Sequence, residues 1–177
     1  MSRRLSTAAA CLSIAFAPGA AHAADAPRFE QSGPYASLRG GYALRSFYGL
    51  PVDAGVVGLG LGGRSRRLSF YLSLDVLFGA TREGLTVRQL DLGARAEIAF
   101  GRLRVGLGPY VGALSVERIT KPATLSGLSV GGRAQLTADV ASWGGAGGAF
   151  FGVELSAGAA GSGAFYGPSL IAGGRAF

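Results

Sequence analysis

Eight stretches in which apolar residues alternate with small or polar ones fill the chain from Gly33 to its end. A period of two admits strands and little else. Residues 68–78 are the cleanest case. Leu68, Phe70, Leu72, Leu74, Val76 and Phe78 fall on one face; Ser69, Tyr71, Ser73, Asp75 and Leu77 fall on the other. In residues 88–100, Leu90, Leu92, Ala94, Ala96, Ile98 and Phe100 oppose Gln89, Asp91, Gly93, Arg95 and Glu97. In residues 128–140, Leu128, Val130, Ala134, Leu136, Ala138 and Val140 oppose Ser129, Arg133, Gln135, Thr137 and Asp139. Weaker alternation marks residues 35–45, 54–63, 103–115, 149–159 and 165–177. Turn-like stretches separate them at 62–65, 79–84, 100–102, 142–148 and 161–163, with Pro51 and Pro122 marking two more breaks. Short connections between successive strands imply antiparallel hairpins throughout.

Composition removes the helical alternatives. Glycine supplies 31 of 177 residues, far above the usual ~7%, and each interior glycine costs a helix roughly 1 kcal/mol. The glycines follow no three-residue period, which excludes collagen. Outside the N-terminus no apolar run reaches the ~18 residues a spanning helix needs.

The glycines also decide which face is inside. In residues 54–63, Val56, Gly58, Gly60 and Gly62 oppose Val57, Leu59 and Leu61; in residues 103–115, Gly106, Gly108 and Gly112 oppose Leu103, Val105, Leu107 and Val111. Glycine on a solvent face serves no purpose. On the inner wall of a narrow eight-stranded barrel it makes room for long side chains from opposite strands, such as Arg39, Arg95, Arg133 and Glu154. An apolar-out, polar-in barrel with strands of about 10 residues is what a bilayer demands. Aromatics at strand ends agree with that facing. Tyr35, Phe70, Phe100, Trp143, Phe150 or Phe151, and Phe177 are expected to form one interfacial belt. Phe47 or Tyr48, Phe78, Phe165 and Tyr166 are expected to form the other. Tyr42, Tyr71 and Tyr110 fit neither belt. The reverse facing would make a soluble lipocalin-like binder.

The first 23 residues read as an export signal. Arg3 and Arg4 precede a mostly apolar run over residues 5–17, Pro18 and Gly19 break it, and Ala21-His22-Ala23 supplies an A-x-A site. Cleavage after Ala23 is the expectation. It removes the only cysteine, Cys11, and the only histidine, His22. The rest of the chain therefore has no disulfide and lacks the common nitrogen and sulfur metal ligands.

A signal peptide, eight alternating strands and a C-terminal Phe177 together resemble the small Gram-negative outer-membrane barrels of the OmpA/OmpX-like kind. The resemblance implies an all-β, eight-stranded antiparallel up-and-down transmembrane β-barrel over residues 33–177. It also implies a short periplasmic segment at 24–32, location in the outer membrane, a monomer, and both termini on the periplasmic side. Phe177 would then belong to the signal read by the outer-membrane assembly machinery. Arg175 stands where such endings usually carry an apolar residue. Ile171 and Phe177 share its parity, so a bulge near Gly173-Gly174 is expected to reconcile the last strand.

Residue chemistry limits what such a barrel does. Gly58-Leu59-Gly60-Leu61-Gly62-Gly63 matches a dinucleotide fingerprint, but Arg64-Ser65-Arg66-Arg67 and a strand follow instead of a helix. Arg64, Arg66 and Arg67 suit a turn beside lipid headgroups better than nucleic acid. Outer-membrane hydrolases and acyltransferases of the resembled kind use a histidine with Ser, Asp or Asn. The chain has no asparagine at all, and its histidine lies in the signal, so no catalytic, cofactor-binding or metal residue is assigned. Arg39, Asp75, Asp91, Arg95, Glu97, Arg104, Arg133, Asp139 and Glu154 are expected to form a paired interior network, with Glu97 beside Arg104 and Arg133 near Glu154. Arg45, Arg82, Arg88, Arg118 and Lys121 are expected to meet outer-leaflet lipid phosphates, including those of lipopolysaccharide. The expected role is structural or loop-presenting, with a largely side-chain-filled lumen. The alternative is a narrow channel or small-solute carrier.

Overall fold

A computed structural model describes residues 32–118, 121–143 and 146–177, with the backbone alone at 118 and 121–125. The expected export signal, and all but the last residue of the segment at 24–32, lie outside the described residues. Eight strands follow in order: β1 (Gly33–Phe47), β2 (Leu50–Ser65), β3 (Leu68–Thr81), β4 (Leu85–Phe100), β5 (Leu103–Arg118), β6 (Lys121–Ser142), β7 (Gly147–Ala160) and β8 (Gly163–Ala176). Each pairs antiparallel with its sequence neighbours, and β8 pairs with β1, so the sheet closes into a barrel. Closure leaves no edge strand with unpaired backbone groups. The eight-stranded, all-β reading of the sequence is the fold.

The strands are longer than the alternation predicts, 14 to 22 residues against about 10. Past the cleanly patterned segments the hydrogen-bonded ladder continues to tight turns. Tyr48-Gly49 joins β1 to β2, with φ of 51° and 81°. Positive φ at both central residues is the turn whose twist matches the flanking strands. Gly101, at φ 62°, opens the equally short turn from β4 to β5.

Facing follows parity along every strand. Leu72, Leu74, Leu92 and Leu136 are exposed on the outer wall, whereas Ser69, Ser73, Gln89, Arg95, Gln135 and Thr137 are buried within. The protein is thus inverted relative to a soluble barrel, and its outer surface is predominantly apolar.

The interior divides by height. Nearest the turns opposite the termini lies an apolar layer of Ala43, Phe47, Val52, Ala54, Val56, Leu77, Val87, Leu114, Ala160 and Phe165, with Tyr110 below it. Phe47 and Phe165 stack there with ring centroids 5.1 Å apart. Charged side chains fill the middle. Toward the termini, Tyr35 stacks on Tyr71 at 4.7 Å.

Two expectations need correction. Tyr35, Phe47, Phe150 and Phe165 are not belt residues; they are at most 5% exposed and point inward. Their neighbours Tyr48, Phe151 and Tyr166 take the outward places, together with Phe70, Phe78, Phe100 and Trp143. The last strand needs no bulge. Its register to β1 runs evenly from Ala36↔Ala176 to Ala43↔Ser169, which puts Ile171 and Arg175 inside. The irregularities fall instead between Glu117 and Arg118 and between Asp139 and Ala141.

The outer wall generates a direct test. Leu74 lies mid-strand and 44% exposed. Leu74→Arg is expected to lower stability in lipid vesicles by ~2–4 kcal/mol, the usual cost of an arginine at a bilayer midplane. Urea unfolding followed by Trp143 fluorescence measures it. A midpoint equal to that of the parent protein would show that this wall does not face lipid.

Candidate functional site

The strands aim a band of charge at the barrel axis. Asp75 on β3 is 2% exposed and accepts from three arginines on three other strands. Arg39 reaches its Oδ1, while Arg95 and Arg133 reach its Oδ2 at 3.1 and 2.5 Å. Glu154 on β7 collects the same three cations: Arg39 and Arg95 at 2.7 Å each, and the Arg133 Nε at 3.8 Å. Arg133 also pairs with Asp91. Two amides support these groups. Gln135 accepts from Arg95 at 2.8 Å, and Gln89 donates to Asp91 at 2.9 Å.

Glycines shape the wall around this cluster. A Cβ at Gly58 would strike the Asp75 carboxylate and the Arg39 Nε; one at Gly112 would strike Asp91; one at Gly106 would meet Gln135 and Glu97 at 2.9 Å. Gly131 and Gly158 make room for the Tyr110 hydroxyl in the same way. The inward glycines therefore make room for these long polar side chains.

A second cluster lies nearer the termini. Arg104 pairs with Asp139 at 3.1 Å, and Arg175 approaches Asp139 at 3.5 Å and Glu97 at 3.7 Å. Glu97 also accepts from the Tyr71 hydroxyl and from Gln135. Cation–π contacts close this end. The Arg175 guanidinium lies 4.1 Å from the centre of the Phe150 ring, and those of Arg64 and Arg104 lie 4.3 and 5.2 Å from that of Phe177.

All nine residues expected in the interior network are inside, but not with every expected partner. Arg133 does approach Glu154. Glu97 does not pair with Arg104; Asp139 takes Arg104, and Arg175 approaches Glu97. Hairpin geometry places residues on one face, but the shear of the barrel decides which of them meet. Arg175, Gln135 and Tyr71 are members that the sequence reading left out. Their inward parity was the available signal.

The expected lipid-contact set also divides. Arg82 and Arg88 are exposed, and Arg88 stands on the outer wall beside a shallow groove lined by Val76, Leu90, Ala113 and Leu128. The side chains of Arg118 and Lys121 lie outside the described residues. Arg45 is a correction. It is 4% exposed and points into the lumen, because it shares the parity of Arg39, Ala43 and Phe47. Phe177, expected in a belt, is a correction as well: it shares the inward parity of Ile171 and Arg175, with its ring beneath Arg64 and Arg104.

A closed eight-stranded antiparallel barrel, apolar outside and charged within, is the architecture of small outer-membrane barrels. Among solved structures the chain is similar to the crystal structure of Neisserial surface protein A (NspA). The TM-score is 0.59 at 16% identity, and the match covers 83% of this chain and 99% of that one. At that identity the likeness is one of fold. No protein-family model and no curated protein matches the chain.

The central cluster predicts an asymmetric response to neutralisation. Asp75→Asn leaves Arg39, Arg95 and Arg133 short of one charge in a buried interior. Breaking a buried pair from one side usually costs about 3–5 kcal/mol. Equilibrium unfolding in vesicles is expected to show a loss of that order. A loss below about 0.5 kcal/mol, the range of an ordinary surface substitution, would mean that the cluster does not hold the lumen together.

Proposed function

We propose that the protein is an integral outer-membrane barrel with a structural role, closed to solutes by its own side chains. The filled lumen carries this reading. Apolar packing at one end, ion pairs bridging strands in the middle and cation–π contacts at the other end occupy its length. Of the roles such a barrel can take, loop presentation has the least support. The chain runs from Phe47 to Leu50, from Thr81 to Leu85 and from Ala160 to Gly163 in turns of two or three residues. A channel or carrier would need the ion-pair band to open. We assign no enzymatic activity, because the chain past its signal has no histidine to serve as a base near neutral pH.

The surroundings follow from the same reading. The apolar sheath meets lipid, and the outward aromatics Phe70, Phe100, Trp143 and Phe151 on one side, and Tyr48, Phe78 and Tyr166 on the other, sit at its two interfaces. Arg82 and Arg88 lie at the end away from the termini, where lipopolysaccharide phosphates of the outer leaflet would meet them. Export through the signal at 1–23, recognition of Phe177 by the assembly machinery, and a monomeric state complete the proposal.

Two measurements test it. Purified protein in planar bilayers is expected to give no discrete conductance steps, and regular single-channel openings would establish the channel reading instead. In intact cells, an impermeant thiol reagent is expected to label Arg82→Cys but not Arg66→Cys. The reverse pattern would place the termini outside the cell.

A further inference from the structure

Charge does not balance in the middle of the lumen. Arg39, Arg45, Arg95 and Arg133 face Asp75, Asp91 and Glu154, four cations against three carboxylates. The cluster nearer the termini sets Arg104 and Arg175 against Glu97 and Asp139, with Arg64 buried beside them over the Phe177 ring. The surplus falls on Arg45, which alone of the four has no ion pair among the described residues. Its Nε and Nη1 are buried and have no hydrogen-bond partner. The like charge of Arg133 opposes it, Glu154 and Asp91 attract it without pairing with it, and the apolar layer of Phe47, Val52 and Phe165 lies at its level or above. A guanidinium buried in this way is costly unless something accepts from it.

The register supplies the rest of a site. Gly167 on β8 lies against the Arg45 backbone, so a Cβ there would meet the Arg45 Cα at 2.9 Å. Gly167 pairs with Ser156 on β7, and Ser156 pairs with Arg133 on β6. This is one row of inward positions across four strands. Along it the Arg45 Nε and Nη1, the Ser156 Oγ and the Arg133 Nε are all buried without a hydrogen-bond partner. The guanidinium nitrogens can only donate, and the Ser156 hydroxyl can donate as well as accept. Arg133 Nε has only the distant Glu154 Oε1, at 3.8 Å.

We propose that this row binds one monovalent anion of halide size, held by Arg45 with the Ser156 hydroxyl and flanked by Arg133. The bound charge brings the central cluster to neutrality and supplies the acceptor that the donors lack. The stacked Phe47–Phe165 pair and the aliphatic layer exclude anything bulky from above, which selects a small ion over the head of an amphiphile.

The test uses the folded barrel in phosphatidylcholine vesicles, unfolded by urea at fixed ionic strength with sodium chloride exchanged for sodium gluconate. Chloride is expected to stabilise the parent protein with one-site saturation. At a concentration ten times the dissociation constant it should raise the folding equilibrium constant about tenfold. Arg45→Met is expected to give the same midpoint in both salts. Superimposable curves for the parent protein would overturn the proposal, as would an Arg45→Met variant that keeps the chloride effect. Should that variant not fold, crystals of the parent protein grown in sodium bromide decide the matter. An anomalous peak in contact with the Arg45 guanidinium supports the site, and a lumen without one refutes it.

Discussion

Asp75 is the point on which the interior turns. One carboxylate, held on the axis by β3, engages guanidiniums from β1, β4 and β6, and Glu154 on β7 engages the same three from the other side. Five of eight strands are tied together by these contacts. Such a cluster contributes little net stability, because desolvating the charges offsets most of their attraction. Its consequence is geometric. Each strand must present its arginine or carboxylate at one height, and a slip of one residue in register would turn that side chain into the outer wall.

The cluster in turn explains the glycine content. A barrel of eight strands has an interior just wide enough for side chains to fill. Arginines crossing that interior need wall positions that project nothing, and Gly58, Gly106 and Gly112 lie where the charged and amide groups arrive. Glycine weakens a strand on its own account. The loss is tolerable here because the closed ladder fixes each strand on both sides. Glycine-rich sequence, narrow barrel and buried charge are thus one solution.

Much of this was legible in the sequence, for a physical reason. Parity is a property of one strand, so alternation in residues 68–78, 88–100 and 128–140 gave both the strands and their facing. What failed needed more than one strand. Arg45 reads as a lipid-phosphate contact although its parity matches Arg39, because a cation at the end of the visible alternation suits a membrane rim until the ladder is seen to run past it. Arg175 looked anomalous only while Phe177 was assumed to face lipid. The pairing of Arg104 with Asp139 rather than Glu97 depends on the shear of the barrel, which no single hairpin reveals. Strand length was underestimated because hydrogen bonding continues where alternation has ended.

The layered interior bears on what the barrel passes. An ion entering from the end away from the termini would first meet Phe47 and Phe165, which offer nothing to replace its hydration shell. Past them, its path is crossed by guanidiniums and carboxylates already paired with one another. To move through, it would have to separate pairs in a medium of low dielectric, where each broken contact leaves a charge without a partner. Its movement would also have to be matched by side chains on several strands at once, since Arg39, Arg95 and Arg133 share their two acceptors. Any conducting state would have to break these contacts together. The outer wall, which a soluble protein would hide, is the surface through which this barrel meets its surroundings.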